Sequence, residues 1–411
     1  MMILVLLAGL VLMRESRREP LASWDNRWAD FLAMNSRHGQ PPAPVTLVEI
    51  NDISVQNHVW PWNPLDFSLF IQAVLPHQPE VVAIEEVLDW NRVALPEEQM
   101  RKLPQYEKIL KDNLLRVPRA LLGAQLGFPD DPQVQPQWQE VPLLRNVEGD
   151  ANALPEFPMV EREPSEDFRL TVTVGFTNLP AVHERYNSVP LLFRHGGQIV
   201  PAFTLQAVML WAKLTPDDVR VVLGSHVALG DKLRVPIDAR GHMRIDFAAR
   251  FHRFGFDELL LANEQLQAKN PPVIDVMKLR GSIVLLARTD AAARALPLAA
   301  RRNGSPGELF AAAIATIQSK SFIQQAPMWA EALVLLGVML ASYRVPRITR
   351  RKTLAIGFIF LAVYALVAMA VFNRWLVWLP GVMPLGAVLF FVLFRAATPD
   401  SVGKPKKPVI F

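Results

Sequence analysis

Met328–Tyr343 reads MWAEALVLLGVMLASY, Thr353–Phe372 reads TLAIGFIFLAVYALVAMAVF, and Trp375–Phe394 reads WLVWLPGVMPLGAVLFFVLF. Short charged links separate these three apolar runs. The second and third are each about 20 residues without a charge. At ~1.5 Å per helical residue they match the ~30 Å hydrocarbon core of a bilayer. The first is shorter and carries Glu331 near its start, so it spans with little tilt or with its outer turn among the headgroups. Three such runs close together predict three membrane helices at about 327–343, 353–372 and 375–394, filling 327–395.

The links set an orientation. Arg344, Arg347, Arg350, Arg351 and Lys352 crowd one short loop, whereas the next link carries only Arg374. Arg395, Lys404, Lys406 and Lys407 follow the last run. Positive charge in short loops marks the cytoplasmic side, which places the first link and a short tail, 396–411, inside. The same five residues of the first link are candidates for contact with anionic lipid or an acidic partner face. Trp329, Trp375 and Trp378 then fall at the outer ends of their helices, where indole rings suit the interface. Pro380 and Pro384 are expected to kink the last helix. Residues 20–326 are expected to lie outside the cell, on the plasma (inner) membrane of a bacterium. Met1–Met13 is apolar but only ~20 Å long as a helix, and Arg14, Arg17 and Arg18 follow it. Residues 1–19 read as a signal anchor, with a cleaved signal as the alternative.

The chain has 411 residues, a net charge of +4 and no cysteine. Disulfides, thiolate nucleophiles and cysteine-bound metals are therefore excluded. The positive balance comes substantially from the membrane-flanking loops, and no basic patch with interleaved aromatics suggests nucleic acid. Between the membrane segments, β-branched apolar runs alternate with helical patterns. Val45–Ile50 (VTLVEI) reads as a strand, Phe67–Leu75 as a helix with Leu69, Phe70 and Val74 on one face, and Val81–Val87 as a second buried strand. That strand–helix–strand order favours a parallel pair. Ala120–Phe128, Leu170–Phe176, Val219–Leu223, Lys232–Val235, Met243–Phe247 and Ser282–Ala287 are further strand candidates, and Ala202–Lys213 and Glu308–Lys320 read as helices. The span from Pro129 to Pro164 is dense in proline and reads as an irregular surface excursion. The expectation is an extracytoplasmic α/β domain with a mixed, partly parallel sheet.

From Trp24 to Phe322 the order of motifs resembles the type-2 CHASE domain family, the extracytoplasmic sensory module of bacterial cyclases, kinases and phosphatases. The resemblance rests on Val48-Glu49-Ile50-Asn51-Asp52-Ile53-Ser54, Trp60-Pro61-Trp62, Phe67–Leu75 and Val81-Val82-Ala83-Ile84-Glu85. It continues through Gly175-Phe176-Thr177-Asn178, Pro201–Ala207, the hairpin Pro236–Phe247 and the helix Gly307–Ile317. Departures are Glu85 where the family usually has aspartate, His183-Glu184 before Arg185, Ala287-Arg288-Thr289 in place of a glycine turn, and the alanine-rich Ala291–Ala300. The resemblance implies a sensor. The family generally continues into a cytoplasmic output domain, so the short tail implies signalling through a separate partner protein, with a homo-oligomer as a further arrangement.

No catalytic pattern emerges. The eight histidines form no H-E-x-x-H, and Gly224-Ser225-His226 lacks the flanking glycines of a nucleophile elbow. An enzyme, a metal and a cofactor are not expected. Asp52, Trp60, Trp62, Glu85 and Asn178 are the candidate ligand-binding residues. Asp52, Glu85 and Glu86 fall at strand ends, where open α/β sheets bind ligands, although solvated or capping roles serve acids there equally. For Trp60 and Trp62 the plain reading is two rings closing over the sheet edge, with a pocket wall or a protein contact as alternatives. The competing function is an accessory or scaffold subunit of a membrane complex with a degenerate pocket, which the altered Ala287–Ala300 region favours.

Overall fold

In the computed structural model the described residues are 11, 21–35, 41–92, 95–128, 141–181, 185–231, 233–299, 303–344 and 350–397. The expected anchor at 1–19, apart from Val11, and the tail beyond 397 lie outside them, as do Pro129, Pro132, Pro136 and Arg347. The chain forms two compact units, His38–Phe322 and a second made of Met1–Arg37 with Ile323–Phe411.

The elements run as follows. Helix α1 is Leu21–Asn35. It is followed by β1 (Val45–Ile50), α2 (Asp52–Asn57), α3 (Pro64–Val74), β2 (Val81–Ile84), α4 (Glu97–Leu114) and β3 (Ala120–Gly127). Next come β4 (Asn146–Glu148), β5 (Glu156–Phe157), β6 (Met159–Arg162), α5 (Glu166–Arg169) and β7 (Thr173–Phe176). Strands β8 (Ser188–Pro190), β9 (Leu192–His195) and β10 (Gln198–Pro201) lead to α6 (Phe203–Trp211). Strands β11 (Val219–Val222), β12 (His226–Leu229), β13 (Leu233–Pro236), β14 (His242–Arg244) and β15 (His252–Gly255) precede α7 (Phe256–Gln267), β16 (Ile283–Arg288), the short pair β17 (Leu296–Pro297) and β18 (Asn303–Gly304), and α8 (Pro306–Ser319). The last elements are β19 (Gln324–Gln325), α9 (Met328–Arg344), α10 (Arg350–Trp375), β20 (Val377–Trp378) and α11 (Val382–Ala397).

The larger unit is built on a seven-stranded sheet in the order β15-β1-β16-β2-β3-β6, with β7 also pairing β3. All these pairings are parallel except β3 with β6. The strands at its centre are buried on both faces, which is why β1, β2 and β16 read as nearly unbroken apolar runs. Alternation divides their side chains. Leu47, Ala83, Leu285 and Ala287 face one core, shared with Phe203 of α6 and Phe310 of α8. Val48, Ile84, Val284 and Leu286 face the other, shared with Phe70 of α3, Leu110 of α4 and Phe256 of α7. Burying each such Leu or Phe contributes roughly 1.5–3 kcal/mol.

Local chemistry sets the helix starts. Asn63 caps α3, with Pro64 at its first position and Asp66 returning a bond to the Asn63 amide. Ser305 and Glu308 form the same reciprocal box on α8 behind Pro306. Lys320, in the left-handed conformation, ends α8.

Several expectations need correction. Strands β1 and β2 are parallel but not neighbours, because β16 inserts between them. The buried face of α3 includes Phe67, Phe70, Ile71 and Val74, while Leu69 is 37% exposed. The second strand stops at Ile84 rather than Val87. The strand expected from Leu170 starts at Thr173, since Glu166–Arg169 takes a helical turn and Leu170 is exposed. The proline-dense span is not irregular throughout: it supplies β4, β5 and β6, which pair with β11, β9 and β3.

In the second unit all three apolar runs are helical, but the third run is helical only from Val382. Val377–Trp378 instead pairs in parallel with Gln324–Gln325. Pro380 therefore precedes α11 and Pro384 lies in its first turn, where a missing N–H disrupts nothing, so neither kinks the helix. The Asp25 carboxylate of α1 accepts from the N–H groups of Gly381 and Val382 at 2.7 and 2.8 Å, and Trp28 donates to the Leu379 carbonyl. Ala29, Leu32, Ala368, Phe372 and Trp378 form the small core beneath. Among the described residues, one helix, Ala355–Trp375, is long and apolar enough to cross a membrane.

Candidate functional site

A parallel sheet brings its strand ends to one edge, and there the anticipated acids gather. Glu85 and Glu86 follow β2, Arg288 ends β16 with Asp290 two residues on, and Asp52 begins α2 directly after β1. The period-2 alternation of β2 carries on to Glu85 and sends it to the α8 face. A Cβ built on Gly307, in the first turn of α8, would stand 3.4 Å from Glu85 Oε2 and only 2.1 Å from Ala287 Cβ. Glycine thus lets the helix start ride against β16 beside the Glu85 carboxylate.

The loop after β16 is held on both sides. Arg288 makes two parallel bonds to Asp290, Nε to Oδ1 at 2.8 Å and Nη2 to Oδ2 at 2.7 Å, the forked geometry that arginine and carboxylate favour. The guanidinium also lies 4.3 Å from the Trp60 ring centre. Thr289 and Asp290 donate their amides to the Ile50 carbonyl, and Ala291 donates its amide to Asp52 Oδ1 at 2.8 Å. Burial pushes the Glu85 carboxyl well above the usual range; Glu86 adds repulsion, and Arg288 and Arg294 pull the other way. Burial also raises Glu86, against the pull of Arg288 and Arg162. The hydrogen bonds from Arg288 hold Asp290 low. This edge therefore combines one closed ion pair with two carboxyls held above the usual carboxylate range.

Of the sequence candidates, Asp52, Trp60 and Glu85 border this cluster. Trp62 is 1% exposed, packs against Phe67 and Phe256, and donates to the His58 carbonyl at 3.0 Å. Its ring is core rather than wall. Asn178 extends the pairing of β7 with β3: its Oδ1 accepts from the Leu126 amide and its Nδ2 donates to the Leu126 carbonyl, both at 2.7 Å. Arg344 ends α9, and Arg350, Arg351 and Lys352 begin α10. Among the described residues no group of three or more His, Asp or Glu is placed to hold a metal ion.

Two clefts lie elsewhere on the sheet. One, of about 440 Å³, opens at the amino ends of the strands around Glu80, Arg116 and Arg280. The other, of about 360 Å³, lies between β6 and β7 and is lined in part by Val160, Glu163, Arg169 and Phe176. Sequence reasoning named Arg288 only as a departure from the family pattern and passed over Asp290, Glu163 and Arg169. Arg288 was signalled by a charge closing an apolar run, but the cleft residues carry no such signal because the cleft depends on strand pairing.

The CHASE2 domain family matches residues 2–343. No curated protein and no solved structure matches the chain. The family match covers well over half of the sequence and spans the sheet, its charged edge and both clefts, and so the chain belongs to the CHASE2 domain family, a family of sensory extracellular domains.

Proposed function

We propose that this protein is a membrane-held sensor whose α/β unit lies outside the bacterial plasma membrane, detects a small molecule or an envelope protein, and signals through a separate partner protein. The sensory family supports the role. The observation that carries the membrane reading is the apolar surface of the helical unit. Leu333, Leu336 and Leu340 of α9, Phe358, Val363 and Leu366 of α10, and Leu385, Leu389 and Leu393 of α11 are all exposed, Phe358 by 76% and Leu366 by 72%. Water disfavours so many exposed large apolar side chains, whereas lipid accepts them. Trp329 and Trp375, each 66% exposed, mark adjoining helix ends, α9's start and α10's finish, in keeping with an interfacial belt. On this reading α9, α10 and α11 are three membrane helices, the Arg344–Lys352 link is cytoplasmic, and the Arg374 turn is outside.

The absence of native cysteine makes the topology directly measurable. Ser225→Cys and Asn373→Cys are expected to react with a membrane-impermeant maleimide in spheroplasts, and Thr349→Cys only after permeabilisation. The reverse pattern would overturn the orientation. For signalling, the tagged chain is purified from native membranes in mild detergent and its companions identified by mass spectrometry. A kinase, cyclase or phosphatase is the expected companion. A second reading, an accessory or scaffold subunit, is favoured by the closed Arg288–Asp290 pair and its stacking on Trp60, since such an edge is satisfied without a ligand. Structural or transport subunits recovered in fixed ratio would establish that reading instead.

A further inference from the structure

Strand β3 changes neighbour along its length. Leu121–Ala124 pairs in parallel with β7, Gln125–Gly127 pairs antiparallel with β6, and the register shifts between Gln125 and Leu126. Two strands leaving one strand in this way diverge, and the cleft of about 360 Å³ opens between them. Its size falls within the ~300–1,000 Å³ usual for small-ligand sites.

Val141, Pro142, Val160, Val172, Val174 and Phe176 line the cleft together with Thr173 and one charge of each sign. Val160 and Phe176 are buried, and Val172 and Val174 extend the wall. Arg169 and Glu163 supply the charges, with side chains 30% and 23% exposed and an Nη1–Oε2 contact of 3.3 Å. That contact is long and leaves the guanidinium fork unused. The Arg169 Nε–H is buried and has no acceptor among the described residues, a cost that a bidentate carboxylate would remove. A simple carboxylic acid would meet Glu163 repulsively, and a simple amine would meet Arg169 the same way.

We infer that this cleft binds a hydrophobic α-amino acid. Its carboxylate lies on the Nε and Nη side of Arg169, its ammonium on Glu163, and its side chain on the half-buried Val172 and Val174. This names a small-molecule class for the sensor proposed above, and rests on that reading for its signalling consequence though not for binding itself.

The test is isothermal titration calorimetry on the full chain in detergent, with L-phenylalanine as probe and 3-phenylpropionate and phenethylamine as analogues lacking one charge. L-Phenylalanine is expected to bind saturably and each analogue at least about tenfold more weakly, as loss of a charge-assisted bond implies. Arg169→Gln and Glu163→Gln are expected to weaken phenylalanine by a similar factor. The analogue comparison uses the parent protein, so it decides the matter even if a variant misfolds. Equal binding of 3-phenylpropionate, or no saturable heat with L-phenylalanine or L-leucine at millimolar concentration, overturns the site. Failure here beside recovery of a signalling partner sinks the site alone, whereas binding without any signalling partner sinks the sensor reading alone.

Discussion

Gly307→Ala probes one of the closest approaches in the larger unit. The new Cβ would meet Ala287 Cβ at 2.1 Å, where two carbons settle at about 3.5–4.0 Å. Relief requires the first turn of α8 to retreat by roughly 1.5 Å from a fully buried strand, and both flanks are core: Leu285 and Ala287 below, Leu309 and Phe310 above. Overpacking of this kind costs about 1–3 kcal/mol. Replacing glycine within a helix returns at most about 1 kcal/mol, so steric cost wins. The thermal midpoint of the unit, followed by fluorescence of buried Trp62 and Trp90, is expected to fall by roughly 2–4 °C per kcal/mol, the scale for domains of this size. Adding Ala287→Gly removes the opposing methyl, so the double mutant should recover part of the loss, with a coupling of about 1–3 kcal/mol. A Gly307→Ala protein melting at or above the parent temperature would refute the argument.

Because Glu85 and Glu86 are raised above their ordinary value of 4.5, the folded state holds these protons more tightly than the unfolded chain. The stability they contribute is whole below about pH 4.5 and is lost as pH rises through the raised folded values. Glu85→Gln should therefore stabilise the protein near pH 7, with the gain shrinking towards about pH 4.5 in melts across that range; a gain independent of pH would count against it. Asp290, held low, works in the opposite sense and at lower pH. Trp62→Ala is expected to cost about 3–5 kcal/mol in denaturant unfolding, whereas Trp60→Ala forfeits a cation–π contact of about 0.5–2 kcal/mol together with its partly buried packing on Trp62. Asn178→Ala leaves the Leu126 N–H and C=O without this partner and should cost about 1–3 kcal/mol, with faster amide exchange at Leu126 as the local readout.

Legibility followed burial. Strands β1, β3 and β16 were readable because two-sided burial makes them continuous apolar runs. Strand β15 (HRFG) lies at the sheet edge with His252 and Phe254 only partly buried and Arg253 exposed, and no pattern betrays it. Helix α4 was missed because its buried face is a thin line of Leu103, Leu110 and Leu114 interrupted by Pro104. At the charged edge, Glu85 was found because it ends a strand. The pairing of Arg288 with Asp290 was not, because it depends on how the loop after β16 folds back onto Ile50.

The sequence alone determined that the chain ends in apolar helices, that an α/β unit precedes them, and that its motif order resembles a sensory family. These properties come from run length, side-chain period and local order, which need no partner strand. Only the tertiary structure decided that β16 inserts between β1 and β2, that Trp62 is core and Asn178 a backbone clamp, and that β3 divides its pairing to open a cleft. Each of these depends on which distant residues meet, and such meetings are selected by packing over the whole sheet rather than by any local stretch of chain.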